Sequence, residues 1–173
     1  MITIIVGTNR KNSVTLKVAK YYEKLLVEKD KKCQILDLVD LPKDFIFSSL
    51  YGEENEDFIK ITNKFIFEPS KLIVITPEYN GSFPGVMKAF IDGWDPKRVS
   101  SKWVALVGVS SGRQGNARGM DDLTNVLNYL KINVIPVKPP LSQIFKLFDE
   151  SGDINDNGMN DLIGLQLDLL IEK

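Results

Sequence analysis

Histidine is absent from all 173 residues. That absence removes Ser-His-Asp and Cys-His nucleophilic catalysis, imidazole acid–base chemistry and most transition-metal sites together. Cysteine occurs once, at Cys33, which excludes an internal disulfide and a thiolate zinc cluster. Its place in a short apolar run predicts a small buried side chain. An excess of either charge is missing too: 22 Lys and Arg against 23 Asp and Glu leave a net charge of −1. Without a basic footprint, neither nucleic acid nor an anionic membrane is an expected partner. No apolar run approaches the roughly 18 residues of a membrane span. The opening MITIIVGTNR runs straight into a strand pattern rather than a signal-peptide pattern. The expected location is the cytoplasm, where the glycosylation sequon Asn80-Gly81-Ser82 is idle.

What is present reads as one ordinary globular domain over residues 1–173, with 43% hydrophobic and 26% charged residues. A chain of this length can bury roughly 70% of the surface its unfolded form exposes. Ile2–Val6 is a nearly continuous apolar run, the pattern of a strand covered on both faces. Val14, Val18, Tyr21 and Leu25 then recur at helical spacing behind a capping Ser13. The alternation continues. Strands are expected at Cys33–Leu38, Leu72–Thr76, Trp103–Val109 and Ile132–Val137. Helices are expected over Asn55–Phe67, over Pro84–Ile91 with proline at its first position, through Met120, Leu123, Leu127 and Leu130, and over Met159–Ile171. Strands alternating with helices imply a parallel sheet between two helical layers. Pro136 inside the last strand assigns that strand to an edge, which fits a five-stranded flavodoxin-like order, 2-1-3-4-5. Leu41–Glu54 is the loosest connection and reads as a surface loop.

In such sheets ligands bind beyond the carboxyl ends of the strands, where the strand order reverses. Three loops meet there. Gly7-Thr8-Asn9-Arg10-Lys11-Asn12-Ser13 is neither a Walker loop nor GxGxxG. It does supply two hydroxyls, an arginine and amides at a helix N-terminus, which suit a phosphate dianion. An equally weighted reading makes Ser13 a helix cap and Thr8 a strand end. Thr76 to Gly85, TPEYNGSFPG, places a tyrosine and an asparagine beside a glycine. That combination can cover a flat ring and bond its polar edge, beyond what a turn of Pro, Asn and Gly requires. Ser110 to Asn116, SSGRQGN, has Gly112 and Gly115 to admit a planar ligand closely, with Arg113 facing ligand, substrate or solvent. Asp153 to Gly158 imitates a calcium loop but has Gly164 where a glutamate is needed, so no metal is expected. It reads instead as a turn whose Asp156 or Asn157 caps the last helix.

At these residues the sequence resembles the NADPH-dependent FMN reductase family of flavodoxin-like proteins, which includes quinone, azo-dye and chromate reductases. GTNRKNS, DLVDLP, TPEYNGSFPGVMKAFID and SSGRQGNARG carry the likeness, in order, over nearly the whole chain. The resemblance implies that Thr8, Arg10 and Ser13, with Asn12 close by, bind the FMN phosphate. It implies that Pro77, Glu78, Tyr79, Asn80 and Gly81 pack along the isoalloxazine, and that Ser111 and Gly112 lie at its other edge. It also implies NADPH or NADH as electron donor, a small-molecule acceptor, and a homodimer or homotetramer with flavin sites near the subunit contact. Ser110-Ser111-Gly112, where the family often has two or three glycines, and Gly93-Trp94 after the short helix are departures that bear on substrate access and subunit contact.

The expected function is therefore an FMN-dependent NAD(P)H oxidoreductase, reducing quinones, azo compounds or similar acceptors by a ping-pong mechanism. No acid–base catalytic residue is nominated, because hydride chemistry belongs to the flavin. A flavin-binding electron carrier and a flavin-free regulatory protein on the same fold are the alternatives. The apolar last helix, with Leu162, Ile163, Leu165, Leu167, Leu169 and Leu170, fits either a subunit interface or packing within its own domain.

Overall fold

The computed structural model describes residues 1–50 and 55–173. Strands β1 (Ile2–Val6), β2 (Cys33–Asp37), β3 (Lys71–Pro77), β4 (Trp103–Val109), β5 (Asn133–Val134) and β6 (Pro140–Leu141) form one sheet. Its order is β2-β1-β3-β4-β5, with β6 also on β4. All of the ladders are parallel. The helices are α1 (Val14–Glu28), α2 (Phe45–Ser48), α3 (Glu56–Thr62), α4 (Gly85–Asp92), α5 (Pro96–Val99), α6 (Ala117–Tyr129) and α7 (Asn157–Ile171).

Successive strand residues point to opposite faces, and the central strands are apolar on both. Ile4, Ile73, Ile75, Ala105 and Val107 pack with Val18, Tyr22 and Leu26 of α1 and Ile163, Leu167 and Leu170 of α7. Ile5, Leu72, Val74, Val104 and Leu106 pack with Phe58 of α3, Phe90 of α4 and Leu123 and Leu127 of α6. The three layers follow from that double-sided pattern. The α7 face carrying Ile163, Leu167 and Leu170 is buried in its own chain, while Leu165 is exposed.

The expected fifth strand, Ile132–Val137, is corrected: two residues pair, a gap follows, and two more pair at Pro140–Leu141. Pro136, Pro139 and Pro140 have no N–H to offer a ladder. The buried Gln166 of α7 compensates, its Nε2 donating to the carbonyls of Leu106 at 2.8 Å and Val137 at 2.7 Å, while its Oε1 accepts from Tyr22. Cys33 is half-buried rather than buried, because β2 is an edge strand. Within the loop expected over Leu41–Glu54, α2 forms and Leu41, Phe45 and Leu50 are buried. Residues 51–54 lie outside the described residues. Asp156 caps α7 through Met159 N–H. No group of three or more His, Cys, Asp or Glu side chains is placed to hold a metal among the described residues. Nor is any described helix long and apolar enough to cross a membrane.

Candidate functional site

The order β2-β1-β3 reverses direction beside β1, and the loops after β1, β3 and β4 converge at that carboxyl edge. The β3 and β4 ladder runs to Pro77 and Val109, while β1 ends at Val6 beside Ile75. The longer strands therefore stand two residues proud and form one wall of a step. Gly7 N–H donates to the Ile75 carbonyl at 2.8 Å, tying the first loop to the base of that wall.

In the first loop, Asn9, Arg10, Lys11 and Asn12 are exposed, and Asn12 takes the left-handed conformation at φ 54°. Ser13 caps α1, its Oγ accepting from Leu16 N–H at 3.1 Å. The hydroxyl retains its own proton to donate. The amides of Val14 and Thr15 have no partner among the described residues. Free N–H groups at the start of a 15-residue helix, with Arg10 exposed in the loop that leads into it, form a donor set for an anion. Thr8 sits differently. It is fully buried, its Oγ1 accepts from Arg10 N–H at 3.2 Å, and it lies 2.8 Å from the Tyr79 hydroxyl. The structure thus joins Thr8 to the second loop.

That second loop is a tight hairpin. Tyr79 and Ser82 exchange backbone bonds at 2.9 and 3.2 Å around Asn80 at φ 54° and Gly81 at φ 82°. Two consecutive positive φ values define a type I′ turn, which asparagine followed by glycine favours. The turn reading and the ring-binding reading are compatible, because the turn turns Asn80 and Tyr79 outward as exposed residues. Of the amides at the tip, Ser82 N–H is spent within the hairpin, and Asn80 and Gly81 N–H take no partner among the described residues. Glu78 N–H donates to Val109 O at 2.9 Å, and Pro77 is buried in β3. Ser82 Oγ donates to Asp122 of α6 at 2.5 Å. Helix α4 starts at Gly85, with Pro84 as its N-cap.

In the third loop, Ser111, Gly112 and Arg113 are exposed, and a side chain at Gly112 would meet nothing within 4 Å. Gly115 behaves otherwise: a Cβ there would lie 2.5 Å from Pro140. Its close approach is to β6 and not to a ligand, which corrects the reading that paired it with Gly112. Ser110 pins the loop, donating to Gly112 O at 3.0 Å and accepting from Gly115 N–H at 2.9 Å. Gln143 N–H reaches Gly112 O at 2.7 Å from a left-handed backbone of φ 47°. Sequence reading missed the segment around Gln143, because its signal is spatial: it follows the β6 pairing that prolines had hidden.

The first two loops are thus joined by the Thr8–Tyr79 pair, and the third lies beside β3 through the β3–β4 ladder. A separate groove of about 450 Å³ between α4 and α6, lined by Ile91, Trp94, Val126 and Tyr129, lies toward the opposite edge of the sheet, since these helices run back against the strands.

Comparison with known proteins bears on the family and the fold. A family model described as NADPH-dependent FMN reductase matches residues 1–145. Over 135 residues the chain is 29% identical to a 2-hydroxy-1,4-benzoquinone reductase of a Burkholderia species, covering 76% of this chain and 72% of that one. A quinone reductase of Pseudomonas putida is 28% identical over 165 residues, covering 90% and 84%. Among solved structures, the flavoenzyme FerB of Paracoccus denitrificans, an NAD(P)H:(acceptor) oxidoreductase, superposes with a TM-score of 0.77 at 25% identity, covering 99% of this chain and 94% of that one.

Proposed function

The chain belongs to the NADPH-dependent FMN reductase family, and we propose that the step at its carboxyl edge is the FMN site of an NAD(P)H oxidoreductase that reduces quinones, azo compounds or similar small acceptors. One observation carries the reading: a free-amide helix N-terminus with Arg10 and Ser13 lies hydrogen-bond-linked to an outward-facing Tyr79-Asn80-Gly81 hairpin. A phosphate and a flat ring joined by a short polar chain are what such a pair of donor sets fits.

Arg10, the Ser13 hydroxyl and the amides of Val14 and Thr15 would hold the phosphate, with Asn12 shaping the loop. Thr8 holds Arg10 N–H beneath it and links to Tyr79. Pro77, Glu78, Tyr79, Asn80 and Gly81 would line one side of the ring, and Ser111 and Gly112 the other edge, where the loop leaves open space. FMN, when bound, supplies the hydride chemistry, which is why a chain without histidine suffices. The free amides of Asn80 and Gly81 are placed to meet negative charge at a ring edge without any titrating group. No side chain is assigned a proton-transfer role. Nicotinamide and acceptor would take turns at one open face, giving ping-pong kinetics. We read the whole of 1–173 as one domain, located in the cytoplasm and working as a homodimer or homotetramer.

The test is steady-state turnover with NADPH and a benzoquinone at several fixed concentrations of each. Parallel double-reciprocal lines are expected. Converging lines overturn the shared face, and flavin reduction without turnover would mark an electron carrier.

A further inference from the structure

An asparagine at a helix N-cap ordinarily accepts a bond from the second or third helical amide. Ser13, Asn55 and Asp156 do this for α1, α3 and α7. Asn116, the N-cap of α6, does not. Its backbone is left-handed, φ 58° and ψ 33°, and the residue is 1% exposed. Its Nδ2 donates instead to the Thr76 carbonyl at 2.9 Å, at the end of β3. Its Oδ1 is buried and takes no hydrogen bond among the described residues. An ideal Cβ on Gly119 would sit 2.1 Å from that Oδ1 and 2.7 Å from the backbone nitrogen of Phe83. The amide therefore reaches the Thr76 end of the segment and packs against Gly119, which itself lies against the Phe83 end, so that only glycine at position 119 admits it.

We propose that Asn116, admitted by Gly119, is a positioning residue that clamps the ring-side hairpin to the N-terminus of α6. The proposal deepens the flavin reading and rests on it. Three local costs are borne at one residue: a left-handed non-glycine backbone, an unused cap, and an unpartnered buried oxygen. The left-handed backbone and the unused cap are accounted for if the side chain serves the neighbouring segment rather than its own helix. An amide suits the place because its Nδ2 is a donor for Thr76 O within the space that Gly119 leaves. Aspartate has the same shape but cannot donate. Ser82 and Asp122 form an exposed companion clamp between hairpin and helix, so Asn116 is the buried member of the pair.

The experiment measures dissociation constants of the wild type for FMN and for riboflavin, then repeats both with Asn116→Asp and Asn116→Gly, alongside thermal unfolding and the visible circular dichroism of bound flavin. Both variants tolerate a left-handed backbone, so the glycine form supplies the reading if the aspartate form does not fold. Expected is a loss of about tenfold, the weight of an ordinary buried hydrogen bond, equal for FMN and riboflavin because the clamp acts on the ring side. A changed dichroism of bound flavin should accompany it. Unchanged affinities with a lowered unfolding midpoint overturn the proposal and leave Asn116 a fold residue. A loss confined to FMN also overturns it, since the effect would then be at the phosphate. A wild type that binds neither flavin removes the flavin reading itself, and this proposal with it.

Discussion

The Tyr79 hydroxyl ties the loop after β1 to the hairpin after β3, and Tyr79→Phe removes that tie alone. Thr8 Oγ1 has two acceptor positions and one proton. One position receives Arg10 N–H, and the Tyr79 hydroxyl lies 2.8 Å away. Thr8 is fully buried and Tyr79 is 37% exposed. The phenylalanine ring therefore still shields Thr8 from water, and the lost bond is not replaced on that side. An ordinary net hydrogen bond sets the cost at about 1 kcal/mol. Thr8→Val strips Arg10 N–H and the Tyr79 hydroxyl together, but Tyr79 can rehydrate, so about 1–2 kcal/mol is expected. The double variant should cost about 1 kcal/mol less than the sum of the two singles. Urea unfolding of the four proteins measures the cycle, and FMN titration of the same four should show the same non-additivity. Additive effects, within about 0.3 kcal/mol, would refute the coupling of the two loops.

Arg10→Ala should weaken FMN binding by about 1.5–3 kcal/mol, the value of a bond to a charged group, and leave riboflavin binding nearly unchanged in an equilibrium titration. Gln166→Leu keeps the volume but strands Tyr22 and the carbonyls of Leu106 and Val137. At roughly 1–3 kcal/mol for each unsatisfied buried group, partly relieved by rearrangement, a loss of about 2–4 kcal/mol in urea unfolding is expected. Burial first, and then nearby Glu23, holds the Cys33 thiol above its ordinary value. A raised value means less thiolate at pH 8, so iodoacetamide should alkylate the native protein more slowly than the urea-unfolded chain. The native rate should still be climbing where the unfolded chain's has levelled off; equal rates at pH 8 would contradict the burial argument.

The strand order was legible because one residue type carried it: Pro136 assigned the last strand to an edge, and the apolar runs of β1, β3 and β4 required cover on both faces. The same prolines hid the break. An apolar run shows that a segment is buried but not which carbonyls its neighbours leave free, so the Gln166 strap had no linear signature. Helix α5 was overlooked although Asp95-Pro96 is a cap followed by proline at the first position, a cue that four residues of helix made easy to pass over. At the candidate site, the Ser13 cap and the Asn80-Gly81 turn were readable from residue type and spacing. Thr8 was named for its hydroxyl, but its pairing with Tyr79 was not readable, because that partner is 71 residues away. Asn116 was visible as a residue preceding a helix, and nothing local announced that its side chain would serve β3 instead of α6. Gly115 shows the converse: a glycine marks close approach, but the sequence does not say to what.

The most direct test of the central claim is a visible absorbance spectrum of the protein incubated with FMN and freed of excess ligand, followed by NADPH in the same anaerobic cuvette. The account predicts a retained flavin band that bleaches on adding NADPH and returns on adding a quinone. A protein that retains no band, with no binding in a direct FMN titration, would contradict it.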